Sequence, residues 1–311
     1  MRTYFAKLAV LLGVGLSVSS QAYACACGCG AFDIGLPGGL GLPTNPAGGG
    51  AINVQATFLN QNTAFSGNQK IPLSQSPDQQ IVTQFYNLNM QYNFNRDWGV
   101  MAMVPYWKRD FTTNTNFGNG LPQNATYNAN TLSDIRLLGM YTGFSDDMSK
   151  GLLFGLKLPT GTYSTNGFDR DTQPGTGTTD ALLGYYQIGQ YRTWGWFFQG
   201  MGRVALNYQQ GYRPGDSVQL VLGSHYDNVT WNPKLVPLLQ INATWRAADS
   251  GISADPPNSG LKVAYLTPGL LYNFTNHWQA NGLVYLPLYR YVTGIQLVPL
   301  QIVSAGVSYV F

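Results

Sequence analysis

An all-β fold is predicted here, a transmembrane antiparallel up-and-down β-barrel of about twelve strands and of outer-membrane type, and three observations predict it. Segments of roughly ten residues alternate apolar and polar side chains with period two. The connections between them alternate long and short. The last such segment ends on an aromatic residue, Phe311. Composition agrees, with only 10% of residues charged and 14% aromatic. After residue 24 no apolar run is long enough for a transmembrane helix. A formal net charge of +3 with no basic run is too small to argue for a nucleic-acid partner, and none is expected.

Residues 1–24 read as a secretory signal peptide. Arg2 and Lys7 form its positive region and Leu8 to Val18 its short apolar run, and Ala22-Tyr23-Ala24 fits the small-x-small cleavage rule. Residues 25–50 form a Cys-rich, then Gly/Pro-rich periplasmic segment. It opens with Cys25-Ala26-Cys27-Gly28-Cys29-Gly30 and continues through Pro37-Gly38-Gly39 to Gly48-Gly49-Gly50. Such a linker can lie in the periplasm or enter the barrel as a partial plug. Residues 51–311 are the predicted barrel.

The clearest strand is 82–94, where Val82, Tyr86, Leu88, Met90, Tyr92 and Phe94 oppose Thr83, Asn87, Asn89, Gln91 and Asn93. In 194–208, Trp194, Trp196, Phe198, Val204, Leu206 and Tyr208 oppose Gln199, Arg203 and Asn207. In 235–246, Leu235, Leu239, Ile241, Ala243 and Trp245 oppose Gln240, Asn242, Thr244 and Arg246, and in 278–288 Trp278, Val284, Leu286 and Leu288 oppose Gln279 and Asn281. Weaker alternation places strands at 51–61, 98–110, 132–144, 151–160, 179–190, 216–229, 261–274 and 297–311.

Short turns fall at 95–97, 145–150, 190–193, 232–234 and 275–277. Longer connections fall at 62–80, 111–131, 161–178, 209–215 and 248–260, with a shorter one near 290–296. Strict alternation is what a barrel with both termini in the periplasm produces, whereas a Greek-key sandwich gives no reason for it. Trp98, Tyr106, Trp194, Trp196, Trp231, Trp245, Trp278 and Tyr289 lie near strand ends, as interfacial aromatic girdles require. In the last strand Phe311, Tyr309, Val307, Ala305 and Val303 share a face. Its pairing with the first strand removes an edge whose free backbone groups are costly in lipid.

Three stretches carry a resemblance: Ser133-Asp134-Ile135-Arg136-Leu137-Leu138-Gly139, Gly155-Leu156-Lys157-Leu158-Pro159-Thr160-Gly161, and Pro174-Gly175-Thr176-Gly177-Thr178-Thr179-Asp180. Together they resemble a family of outer-membrane barrels named for meta-pathway phenol degradation and described as transporters. The resemblance covers most of the barrel, with its specific motifs between about residues 130 and 190. It implies a channel-like role for small organic solutes. The terminal Tyr309 and Phe311 resemble the C-terminal signal that the barrel-assembly machinery reads.

With the apolar faces toward lipid, the inward set includes Asn53, Gln55, Asn87, Asn89, Gln91, Arg136, Lys157, Gln199, Arg203, Gln240, Asn242 and Arg246, with Asp134 as a partial counterweight. These residues line a hydrophilic, mildly cationic pore or form packed ion pairs inside a narrow barrel, and both readings stand. Cys25, Cys27 and Cys29 form an open thiol cluster. It could hold a soft metal such as Cu(I) or zinc, present Cys25 for acylation, or contain an oxidised pair with a spare thiol. His225 shares a strand face with Asp227, but Ser224 faces the opposite way, which leaves a nucleophile without its base and argues against an enzyme. The reading is therefore an outer-membrane channel, N-terminus periplasmic, passing small polar, anionic or aromatic solutes by passive diffusion. Its partners are outer-membrane lipid, the assembly machinery and the solute, and no resident cofactor is required. The alternative is a barrel that anchors the Cys cluster for metal or redox handling with a periplasmic partner.

Overall fold

The computed structural model describes residues 48–311. The signal-peptide reading, Cys25, Cys27, Cys29 and most of the Gly/Pro-rich segment lie outside the described residues. Thirteen strands form one antiparallel sheet: β1 (Gly49–Gly67), β2 (Gln69–Lys70), β3 (Asp78–Asn93), β4 (Trp98–Asn114), β5 (Asn124–Leu132), β6 (Arg136–Tyr141), β7 (Lys150–Lys157), β8 (Asp180–Tyr191), β9 (Trp194–Ala205), β10 (Ser217–Tyr226), β11 (Leu235–Arg246), β12 (Leu261–Asn273) and β13 (Trp278–Val310). With β2 and β5 set aside, successive strands pair in order from β1 and β3 through β4 and β6 to β13, and β13 pairs back onto β1, which closes the ring.

Eleven strands make the closed wall, with the two-residue β2 and the outlying β5 standing off it. β13 supplies two limbs. Residues 279–292 run beside β12 and residues 292–310 beside β1. The chain doubles back at Gly294, whose φ of 66° falls in the left-handed region that suits a residue without Cβ. The limb ends meet where the Val310 N–H donates to the His277 carbonyl at 2.8 Å. The wall therefore has twelve staves, as the alternation predicts.

Three boundaries differ from the sequence reading. The expected connection 111–131 contains β5, which pairs with the outer half of β4, from Tyr106↔Leu132 to Asn114↔Asn124. The expected strand 132–144 is interrupted at 133–135, and β6 alone continues down β4 from Met103↔Arg136. The barrel begins at Gly49, two residues before the expected 51, while the short connection expected near 290–296 is present as a tight hairpin. A bulge marks the closing seam: Leu59 pairs with Ile302 but Gln61 with Pro299, so β13 holds one extra residue and both Leu300 and Gln301 face outward.

Local side-chain chemistry sets the short turns. The Asn95 side-chain oxygen accepts from the N–H groups of Asp97 and Trp98, and the Thr275 hydroxyl oxygen accepts from those of His277 and Trp278. Outside, alternate residues such as Val54, Leu88, Leu183, Leu220, Ile241 and Leu286 form the exposed apolar band. At the short-turn end, Trp98 packs on Tyr141, Trp194 on Tyr226 and Trp278 on Tyr309, each with ring centroids 4.9 Å apart. Among the described residues no helix is long and apolar enough to cross a membrane, and the strands make the wall.

Candidate functional site

Period-two geometry turns every second side chain inward, and the interior divides into tiers. Nearest the short turns is an amide and hydroxyl tier. Asn89 donates to the Asn53 side-chain oxygen at 3.0 Å, and Asn53 donates to the Ser308 hydroxyl at 3.0 Å. Gln55 donates to Asn281 at 3.1 Å and to Ser304 at 2.7 Å, and Asn242 donates to Thr267 at 2.8 Å. Asn87, Gln91 and Gln240 are buried facing inward, and Gln199 faces inward between Phe197 and Met201. Apolar side chains fill much of the remaining interior, with Leu59, Tyr265, Leu283 and Tyr285 on one side and Met140, Leu153, Leu182 and Met201 on the other.

The next tier is ionic. Lys157 bonds Asp134 at 2.8 Å and Asp180 at 3.2 Å, and Arg203 bonds Asp180 at 3.2 Å. All four side chains are nearly or wholly buried. The chain is neutral overall, two cations against two carboxylates, which is the arrangement a buried charge requires. Arg246 bonds Asp249 at 2.6 Å, and the Arg136 guanidinium lies beside the Met103 sulfur at 3.9 Å. Every predicted inward residue is thus on the inner face. Lys157, Arg203 and Arg246 are committed to carboxylates, which is the packed ion-pair arrangement, here on an inner face that also carries Arg136 and Arg109.

The three stretches that carry the family resemblance meet at this ionic chain. Asp134 comes from the first, Lys157 from the second, and Asp180 from the third. Asp134 also accepts from the N–H groups of Gly161 and Thr176 at 3.0 and 2.9 Å, and Lys157 donates to the Thr176 hydroxyl. A Cβ on Gly175 would come within 2.5 Å of the Gly161 carbonyl carbon, and one on Gly161 within 2.8 Å of Ser133 backbone atoms. Glycine is needed at both positions because three backbones pack directly together.

That packing draws the 158–179 connection into the barrel. Phe168 enters a small apolar cluster with Ala64, Ile81, Phe111 and Leu297, the Thr172 carbonyl accepts from Arg109, and the Pro174 carbonyl accepts from Ser133. Arg170 lies between the rings of Tyr163 and Tyr212, 5.3 and 4.4 Å from their centroids. Burial, with the Asp255 carboxylate nearby, pushes the Asp169 carboxyl up to about 6. Burial, then the charges of Asp249 and Asp169, push that of Asp171 up to about 8. A cavity of ≈ 270 Å³ toward the long connections is lined by Asp169, Arg170, Asp171, Tyr212 and Asp255 among others. A second, deeper one of ≈ 110 Å³ reaches Phe85, Trp107, Arg136 and Arg246. Asp171 and Tyr212 line both and stand between them.

Arg109, Phe85 and Trp107 escaped the sequence reading, although parity extended along 82–94 and 98–110 turns all three inward. Arg170, Asp171 and Tyr212 carry no periodic signal, because they enter from connections. His225 lies 3.3 Å from Asp227, and the Ser224 hydroxyl donates to the Gly195 carbonyl at 2.9 Å rather than to that pair. Among the described residues no group of three His, Cys, Asp or Glu side chains is arranged to hold a metal.

No protein-family model and no curated protein matches the chain. Solved structures do. The chain is similar to the COG4313 outer membrane channel from Pseudomonas putida F1, with 13% identity, a TM-score of 0.66, and coverage of 89% of this chain and 100% of that one. It overlaps more loosely with the CymD monoaromatic hydrocarbon channel at 9% identity and a TM-score of 0.48, over 94% of this chain and 98% of that one. The toluene transporter TodX from Pseudomonas putida overlaps at 13% identity and a TM-score of 0.45, over 93% and 95%. The first of these overlaps shows the fold: a closed β-barrel of the outer-membrane type.

Proposed function

We propose that this protein is an outer-membrane channel that passes small polar, anionic or aromatic solutes by passive diffusion. The short turns and the N-terminus face the periplasm and the long connections face outward. The observation that carries this reading is the sorting of side chains across one wall: an unbroken apolar band outside, and buried Asn, Gln, Lys and Arg side chains inside. A soluble barrel has no use for an apolar exterior.

Two sequential cavities reaching inward from the long-connection end support a guarded route rather than a wide aqueous pore. The family resemblance adds small aromatics to the solute range, and Tyr309 and Phe311 make the assembly machinery a partner. The protein should form discrete conductance steps in planar bilayers, with a reversal potential in a KCl gradient that favours chloride, as a cationic constriction dictates. Folded, inserted and electrically silent protein would overturn the channel reading, and a cation preference would overturn its electrostatic part.

A further inference from the structure

The cavity of ≈ 270 Å³ at the long-connection end is bordered by more carboxyls than its surroundings neutralise. Asp169 and Asp171 enter it from the 158–179 connection and Asp255 from the 248–260 connection, so one space joins the two. Among the described residues none of the three forms an ion pair, and no other side chain donates a hydrogen bond to Asp169 or Asp171. Asp255 accepts from the neutral Asn258 amide at 2.8 Å. Asp78, 1% exposed at the start of β3, adds a fourth carboxyl, which the charges of Asp169 and Asp171 reach. Both of its oxygens are buried without a hydrogen-bond partner, and the nearby Thr113 hydroxyl donates instead to the Pro77 carbonyl at 3.2 Å.

Arg170 is the cation in the cavity lining, and it is turned elsewhere. Its guanidinium is stacked between Tyr163 and Tyr212 and donates to the Thr176 carbonyl. Arg246, the other cation near Asp171, is bonded to Asp249 at 2.6 Å. Three carboxylates against one guanidinium leave the cavity lining two charges negative when all are ionised. Uncompensated enclosed charge is costly. Protons are one way to relieve it, and burial with neighbouring carboxylates accordingly holds Asp171 up at about 8 and Asp169 at about 6. A cation of matching size is the other way. A bare metal ion does not suit the arrangement, since among the described residues no three such side chains converge to hold one. A larger cation with several N–H donors reaches carboxyls set around one space. Ile252, 96% exposed, and Ala254 beside it give such a cation's apolar body a surface.

We propose that this cavity is a binding site for small organic ammonium ions, in which the ammonium lies among Asp169, Asp171 and Asp255 and a short apolar body rests against Ile252. The ≈ 270 Å³ lies just below the roughly 300–1,000 Å³ of sites for drug-sized ligands, which suits a cation of fragment size. A bound ammonium ties the 158–179 connection to the 248–260 connection and so holds the inward-folded segment in place. The site goes beyond the channel reading and does not rest on it, because binding is read on the folded protein whether or not the protein conducts.

The test is equilibrium binding to the folded full chain in non-ionic detergent micelles, followed by ligand-observed NMR with n-butylammonium, n-butanol and methylammonium as probes. Butylammonium should bind about tenfold or more tightly than butanol, the worth of one charge-assisted hydrogen bond. It should bind about fivefold more tightly than methylammonium, as partial burial of its extra methylenes gives. The double variant Asp169→Asn/Asp171→Asn should abolish the preference over butanol, and Ile252→Ser should lower only that over methylammonium. If the double variant does not fold, Asp255→Asn reads the carboxylate part in its place. The groups that face Asp169 and Asp171 are Asp78 from β3, Arg246 from β11, Asp249 and Asp255 from the 248–260 connection, and Arg170 and Tyr212. Butylammonium stays charged below pH ~9, as lysine does, so its affinity should rise between pH ~5.5 and ~8.5 as Asp169 and Asp171 lose their protons. Saturating butylammonium should also slow hydrogen exchange of residues 158–179, which butanol should leave unchanged. Butylammonium bound no tighter than butanol, a preference that survives in the double variant, or an affinity flat across that pH range overturns the site.

Discussion

Replacing Lys157 by Met tests whether the buried ionic chain holds the 158–179 connection inside the barrel. Lys157 lies between Asp134 at 2.8 Å and Asp180 at 3.2 Å, and each of these side chains is at most 5% exposed. The substitution keeps side-chain length but takes the four-membered chain from neutral to one net negative charge. Arg203 still holds Asp180 at 3.2 Å, so the uncompensated charge falls on Asp134, which keeps only its neutral donors from Gly161 and Thr176. Removing one partner of a buried pair costs about 3–5 kcal/mol. Equilibrium unfolding in urea from lipid vesicles measures that loss. The double variant Lys157→Met/Asp134→Asn restores neutrality and should recover more than half of it, leaving a deficit of about 1–2 kcal/mol from the broken hydrogen bonds. A single variant within about 0.5 kcal/mol of wild type, or a double variant no better than the single, would refute the argument that these residues act as one charge-balanced unit.

Three further outcomes follow. The carboxyls of Asp169 and Asp171 sit above their ordinary range, at about 6 and about 8. The inward placement of their connection is therefore most stable when both are protonated, and it weakens as pH rises from about 4 through those values. Hydrogen exchange of residues 158–179 should accelerate between pH ~5 and ~9 beyond the intrinsic rate, and Asp171→Asn should remove most of the change; flat corrected rates would contradict this. Leu220→Arg places a charge mid-strand on the outward face and should destabilise the barrel in vesicles by about 2–4 kcal/mol, whereas the same change at a solvated surface would be near neutral. Deleting Phe311 removes the paired bonds between its backbone and that of Gly50, at 2.8 and 2.9 Å, and should lower the yield of heat-modifiable folded barrel in cells; Tyr309→Ala should do so to a lesser degree, and unchanged yield for both would separate the last strand from assembly.

The wall was legible because a barrel imposes one constraint at every strand position. Lipid outside and a shared interior fix the parity of Asn87, Asn89 and Gln91 on β3 and of Gln240, Asn242 and Arg246 on β11 as firmly as that of their apolar neighbours. β5 escaped notice for the same reason. Its residues Asn124 to Leu132 pair with β4 beyond Tyr106, where the sorting is reversed: Asn124, Thr126, Asn128 and Asn130 face out and Ala129 and Tyr127 pack inward, so the apolar-out signature of the wall is missing. The doubling of β13 was legible too, since the strands expected at 278–288 and 297–311 are its two limbs and the short connection expected near 290–296 is the hairpin at Gly294.

The interior was only half legible, because parity says which side chains point inward but not what they meet there. Lys157 and Arg203 could be placed on the inner face from sequence, yet their neutralisation depends on Asp180 at the start of β8 and on Asp134 in the break between β5 and β6. The three resembling stretches carried that information unrecognised, since what they share is a meeting point in space. Once Gly161 and Gly175 let their backbones touch, the connection folds inward and brings Asp171 over the cationic tier. This ordering has a functional consequence. The ionic chain anchors one wall of the constriction, and the aromatic arc of Phe85 and Trp107 forms the other. Changes at Lys157 or Asp134 should therefore act first on whether the inward-folded connection keeps its place, and only through it on the proposed passage of solute.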